Sequence, residues 1–172
     1  HYETVVQAGV DVFVIRGASV SAEHISTSHE PLNLKKFIYE LDVPVMVGGV
    51  AGYSQAKHLM RTGAAGVLVG FGGGSAMTTR KGLGISAPMA TAIADVAAAR
   101  SDYLDESGGR YVHVIADGGL SRSGDLVKAL ALGADAVMIG APLARASEAP
   151  GQGWYWGNEA HSRDFPRGVR TP

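Results

Sequence analysis

Three glycine-rich turns in this 172-residue sequence carry the groups that can do chemistry. The first is Ile115-Ala116-Asp117-Gly118-Gly119, at the end of an apolar run. A strand ending in Asp-Gly-Gly ahead of a helix presents backbone N–H groups and one carboxylate at its carboxyl end. Glycines there let a phosphate approach the main chain, and Asp117 can accept hydrogen bonds from ribose hydroxyls. Read alone, the same residues also describe an ordinary strand–turn–helix with aspartate as a cap. The second turn is Met138-Ile139-Gly140-Ala141-Pro142, reached from the first through Gly124-Asp125 and LVKALALGADAVMIG. The third is the loop from Gly70 to Arg80, GFGGGSAMTTR. It is not a P-loop, because Gly-Lys-Ser/Thr is missing. Nor is it a dinucleotide G-x-G-x-x-G, because Ser75 takes the last place. A loop so rich in glycine can turn carbonyls onto a cation or N–H groups onto an anion. Ser75, Thr78 and Thr79 add hydroxyls and Arg80 a positive charge; a flexible surface loop is the plain alternative.

Other reactive side chains offer less. Cysteine is absent, so there is no disulfide framework, thiolate metal site or cysteine nucleophile. His58 is expected in a helix, His113 in a strand interior, and His24 and His29 in a loop. No pair has metal-ligand spacing on one face, so no side-chain metal ligands are assigned. Trp154, Tyr155 and Trp156 form an aromatic cluster that either packs on the domain or a neighbouring subunit, or covers the site.

Five apolar runs must position these turns: Asp11–Ile15, Val43–Val47, Gly66–Val69, Tyr111–Ala116 and Ala136–Ile139. They are short, continuous and Val/Ile-rich, as strands buried on both faces of a parallel sheet are. Helical spacing precedes each of the last four, over Leu34–Leu41, Ser54–Arg61, Met89–Leu104 and Leu126–Leu132. Gly9, Gly63 and Gly133 read as C-caps leading into the next strand. Repeated strand–helix units imply an α/β fold with right-handed crossovers, either an open doubly wound sheet or a closed (β/α)₈ barrel. The barrel is favoured because glycine-rich turns follow several strands rather than only the first. A whole barrel takes about 250 residues, so residues 1–143 are expected to hold five of its units, with three upstream. Gly119 and Gly140 would then follow the seventh and eighth strands, where such barrels commonly bind phosphate. The chain opens at His1 inside an apparent helix, as a piece of a longer one would. Residues 144–172 read as an irregular flap or tail.

Composition sets the outer bounds. Apolar residues make up 46% and charged residues 18%, with 15 Lys+Arg against 16 Asp+Glu for a net charge of −1. That balance argues against an electrostatic binder of nucleic acid or of a membrane surface, and against a disordered chain. No apolar run approaches the ~20 residues that span a bilayer, and no signal-peptide pattern opens the chain. A cytoplasmic enzyme domain is expected. The 24 glycines are about twice the usual ~7% share and cluster directly after apolar runs, where backbone must approach a ligand.

Four segments in this order and approximate spacing, VGFGGGSAMTTR, VIADGG, GDLVKALALGADAVMIG and SEAPG, resemble the IMP dehydrogenase/GMP reductase family. The likeness covers most of Val43–Gly151 and is greatest to the IMP dehydrogenase-related subfamily without CBS domains. The resemblance implies a (β/α)₈ barrel, a homotetramer, and hydride transfer between purine C2 and NAD or NADP. IMP, XMP or GMP would be the nucleotide. Ser75 matches the phosphate-contacting serine and Asp117 the aspartate that holds the ribose hydroxyls. Gly118, Gly119 and Gly140 fall at the phosphate-binding turns, and Thr79 matches the threonine near the reacting base. Backbone carbonyls around Gly72, Gly74 and Met77 would line a monovalent-cation (K⁺) site.

Several positions depart from the family pattern. Met77 stands where the family has the cysteine that attacks purine C2, and a thioether cannot serve as that nucleophile. Ala141 replaces a phosphate-binding serine, Gln152 an acidic residue, and Val50-Ala51-Gly52 an Asn-containing turn. Arg16 takes the place of an aspartate that contacts the cofactor ribose, where a positive charge would favour a 2′-phosphate and hence NADP. No Arg-Tyr pair like that of the dehydrogenase flap is recognisable before Pro172. Nucleotide-binding features therefore persist while the covalent chemistry does not. The leading reading is a purine-nucleotide oxidoreductase with weak turnover. A non-catalytic nucleotide-binding or assembly protein is the alternative, and a flavin-dependent barrel oxidoreductase a second one.

Overall fold

The computed structural model describes residues 2–17, 32–77, 79–151 and 153–154 of the chain. His24, His29, Thr78, Gln152, Tyr155 and Trp156 lie outside the described residues.

A short helix α1 (Tyr2–Gln7) leads to strand β1 (Phe13–Arg16), and α2 (Leu34–Glu40) to β2 (Val45–Val50). Helix α3 (Tyr53–Arg61) and β3 (Gly66–Val69) follow. A π-turn (Thr79–Leu83) and the long α4 (Met89–Glu106) lead to β4 (His113–Asp117). Helix α5 (Ser123–Ala131), β5 (Ala136–Met138) and a four-residue α6 (Ala141–Ala144) complete the described elements. The expected strands are all present. The caps are where sequence placed them: Gly9, Gly63 and Gly133 adopt φ of 79°, 104° and 107°, a region open to glycine but strained for other residues. Helix α2 opens on Asn33, whose side chain accepts from the Lys36 N–H at 3.0 Å.

Five parallel strands lie in the order β1-β2-β3-β4-β5, each beside its sequence neighbour. A doubly wound sheet reverses its order at a switch point; this one does not. Right-handed crossovers between strands added always on the same side place the connecting helices on one face. The architecture is therefore a run of consecutive units of a (β/α)₈ barrel.

Alternation along the strands divides the two faces. Val45, Val47, Val67, Val69, Val114 and Ala116 join the core under the helices, with Leu59 and Met60 of α3 and Ile93, Val96 and Ala99 of α4. Leu68 and Ile115 lie between them in sequence and belong to the opposite, interior face. Burying each large aliphatic side chain contributes roughly 1.5–3 kcal/mol. The outer strands differ from the expectation of burial on both faces. Val14 and Met138 are exposed, because β1 and β5 have one neighbour each.

Polar clamps fix the helix layer. Arg61 donates twice to Glu106, at 2.7 Å each, and Tyr53 donates to Asp102, tying α3 to α4. The Arg61 bonds, followed by Lys57, lower the Glu106 carboxyl to about 2 despite an opposing desolvation. At the start of β5, Asp135 accepts from Tyr111 Oη, Arg100 Nη1 and the Val114 N–H. Burial alone would raise the Asp135 carboxyl; these three partners outweigh it and leave it lowered.

Two local expectations are corrected. Strand β2 starts two residues later than the expected Val43–Val47 and runs three further, to Val50, pairing Gly48 with Leu68 and Val50 with Val69 across a register shift. His113 is the exposed first residue of β4 rather than an interior one, stacked edge-on against Tyr111. After Gly140 the short α6 follows, with proline at its opening where a missing N–H costs nothing.

Candidate active site

The three glycine-rich turns converge at the carboxyl ends of the strands, where α/β barrels place their sites. They enclose a cavity of about 400 Å³ lined by Gly73, Gly74, Ser75 and Met77 after β3. Residues 118–121 after β4 and 138–142 at the end of β5 supply most of the remaining wall, and Arg16 and Asp117 the rest. That volume lies within the range typical of small-molecule sites. A larger groove of about 770 Å³ sits at the opposite end of the strands, around Lys35, Pro44, Thr62 and Arg110, away from every one of these turns.

Glycine is a steric requirement at the centre. A Cβ on Gly73 would come within 3.1 Å of Gly118 C and 3.3 Å of Gly119 N. A Cβ on Gly118, at φ 101°, would meet Gly73 C and Cα at 3.2 Å. The two turns thus pack main chain on main chain, so a ligand between them meets backbone donors. Gly70 is equally constrained, with the Asp117 carbonyl and the Met89 sulfur where its Cβ would be. These contacts couple the glycine loop to the aspartate turn.

Asp117 is the only charged or polar side chain in the buried core among the described residues, at 6% exposure. Its Oδ2 accepts from Arg16 Nε at 2.8 Å, across a sequence separation of 101 residues. Arg16, expected beside a cofactor ribose, therefore lies in the same cavity as the glycine-rich turns and in contact with the Asp117 carboxylate. Ser75 is exposed at the cavity wall. Gly140, Ala141 and Met77 line the same cavity.

Two assigned residues are outside the lining. Gly72 is buried behind it at φ 67°, and Thr79 packs on Gly72, its Cβ 3.2 Å from where a Gly72 Cβ would sit. Among the described residues no group of three or more His, Asp or Glu could hold a metal ion. Ser121 also lines the cavity and was not singled out from sequence.

This geometry has close counterparts. The family model of the IMP dehydrogenase / GMP reductase domain matches residues 1–164. The chain belongs to the IMP dehydrogenase/GMP reductase family. An uncharacterized oxidoreductase of Mycolicibacterium smegmatis is 61% identical over 167 residues, covering 96% of this chain and 44% of that protein. The inosine-5′-monophosphate dehydrogenase of Aquifex aeolicus is 41% identical over 156 residues, 91% of this chain and 30% of its own. In the solved structures, an IMP dehydrogenase/GMP reductase-like protein of Corynebacterium glutamicum superposes with a TM-score of 0.88 at 58% identity. That match covers 99% of this chain and 44% of the other. The chain thus spans less than half the length of these family members. Among the described residues no helix is long and apolar enough to cross a membrane.

Proposed function

We propose that this chain forms the purine nucleoside monophosphate site of an oxidoreductase of this family, acting on IMP, XMP or GMP with NAD or NADP as co-substrate. The observation that carries the reading is the convergence of Ser75, Asp117, Gly119 and Gly140 on one cavity. The phosphate would lie against the main chain of residues 118–121 and 140–142, with Ser75 donating from the third side. Asp117 would hold the ribose hydroxyls, and the base would extend toward Met77, with Thr79 behind the loop. Residues 1–143 would act as the catalytic barrel portion and 144–172 as its flap, in a cytoplasmic homotetramer.

Hydride exchange at purine C2 would run without covalent help from position 77. A thioether has no proton to lose, and removing a nucleophile from a multi-part site costs several orders of magnitude in rate. Weak turnover follows. A monovalent cation such as K⁺ suits carbonyl oxygens at Gly72, Gly74 and Met77. The Gly74 carbonyl already accepts the Met77 N–H at 3.0 Å and retains one lone pair for it.

A second reading, nucleotide binding without turnover, is favoured by the same Met77 in the cavity wall. Calorimetric titration of the full-length protein with IMP and with GMP tests the site. Saturable binding of either is expected, and a folded protein that binds neither refutes the proposal. Turnover with NAD or NADP, before and after Met77→Cys, then separates the readings. Activity gained with the thiol means an intact scaffold that lacked only its nucleophile. Activity present without it means a non-covalent route, and none in either protein leaves binding as the function.

A further inference from the structure

The charge balance of the cavity points to a role for Arg16 distinct from cofactor binding. Among the described residues that line it, Arg16 and Asp117 are the two that carry charge. They close on each other through one bond, Arg16 Nε to Asp117 Oδ2 at 2.8 Å. The two ends of the pair are unlike: the Asp117 side chain is 7% exposed and that of Arg16 38%. Among the described residues, Asp117 is the acceptor that meets the Arg16 guanidinium, through Nε.

The sheet register makes this contact possible. Arg16 ends β1 level with Gly48, which is level with Leu68, which in turn is level with Ile115. Partners in a parallel ladder share a face, and Asp117, two residues beyond Ile115, shares it too. Gly48 has no side chain, so β2 places nothing in the path of the guanidinium on this row. The arginine therefore reaches over two intervening strands to the ribose-side carboxylate.

A buried carboxylate without this partner would give the cavity a net negative wall. An anion would then have to enter against it. With Arg16 in place the two charges of the described lining cancel. We propose that Arg16 is a specificity-determining residue of the nucleotide site: it neutralises Asp117 and selects a phosphorylated nucleoside over the unphosphorylated one. This inference rests on the purine-nucleotide reading given above and adds to it the reason a phosphate is tolerated next to Asp117.

The test compares IMP and inosine binding by calorimetry in full-length wild-type protein, R16Q and R16K, each confirmed folded by circular dichroism. R16Q is expected to weaken IMP by about tenfold or more, since one unit of favourable charge leaves the site. Inosine, which has no phosphate, should change by less than about threefold, so the preference for the nucleotide collapses. R16K keeps the charge and should recover most of the IMP affinity. Equal losses for IMP and inosine in R16Q would mean that Arg16 merely props the site and would overturn the assignment. So would unchanged IMP affinity in R16Q, with the purine site itself left standing. Wild-type protein that binds no nucleotide would overturn the purine-site reading and this inference together.

Discussion

Removing the Asp117 carboxylate is the most direct perturbation of the site, and its magnitude follows from the surroundings. Oδ2 is shared with Arg16 and Oδ1 has no described partner, so Asp117 offers at least one full acceptor to a ribose hydroxyl. A hydrogen bond to a charged group contributes about 1.5–3 kcal/mol. Against this, Asp117→Ala removes a negative charge from a site that takes a phosphate, and the relieved repulsion is below about 1 kcal/mol once screened. The net loss is roughly 0.5–3 kcal/mol with a middle value near 1.4 kcal/mol, about a tenfold weakening of IMP binding. Inosine lacks the repelled phosphate and should suffer the whole loss, more than IMP does. The fold should survive: the orphaned Arg16 is 38% exposed and regains water, so stability falls by about 1 kcal/mol or less. Calorimetry on the full-length variant, with circular dichroism as the folding control, measures both. Asp117→Asn keeps the shape and one acceptor, and should fall between wild type and alanine. IMP affinity unchanged in Asp117→Ala would falsify the placement of the ribose and, with it, the orientation of the nucleotide in the cavity.

Two further predictions concern the scaffold. Gly73→Ala places its methyl 3.1 Å from the Gly118 carbonyl carbon, and no flexible side chain can move aside to relieve it. The two turns must separate, so nucleotide affinity should drop while thermal unfolding shifts little; unaltered affinity would show that their close approach is not needed for binding. Glu106, lowered from 4.5 to about 2 chiefly by Arg61, contributes stability that is fully present above pH 4.5 and lost as pH falls through about 2. Glu106→Gln should therefore flatten the acid limb of a melting-temperature profile between those values, and a limb as steep as in the wild type would count against the clamp.

How far the sequence reaches is clearest at β3 and at Arg16. Gly66–Val69 was read with its observed bounds, because a four-residue Val/Leu run between glycines leaves no room for another reading. Strand β2 was placed two to three residues early, since its ladder with β3 carries on past Gly48 through a register shift that no local pattern marks. The chemistry-bearing turns were legible for a local reason: glycine after an apolar run, followed by a helix, is a requirement written within a few adjacent residues. Ser121 was missed because a single serine beside such a turn carries no pattern of its own.

The sequence by itself determined the five strands, the glycine caps, the glycine-rich turns and the absence of a thiol at position 77. Each of these is set by neighbouring residues through backbone conformation or functional-group chemistry. Only the tertiary structure decided that β1 to β5 lie in chain order, that three turns share one cavity, and that Gly73 packs on Gly118. It alone paired Arg16 with Asp117. A side chain's charge is visible at its own position, but its partner is chosen by sheet register and curvature, which bring together residues 101 positions apart.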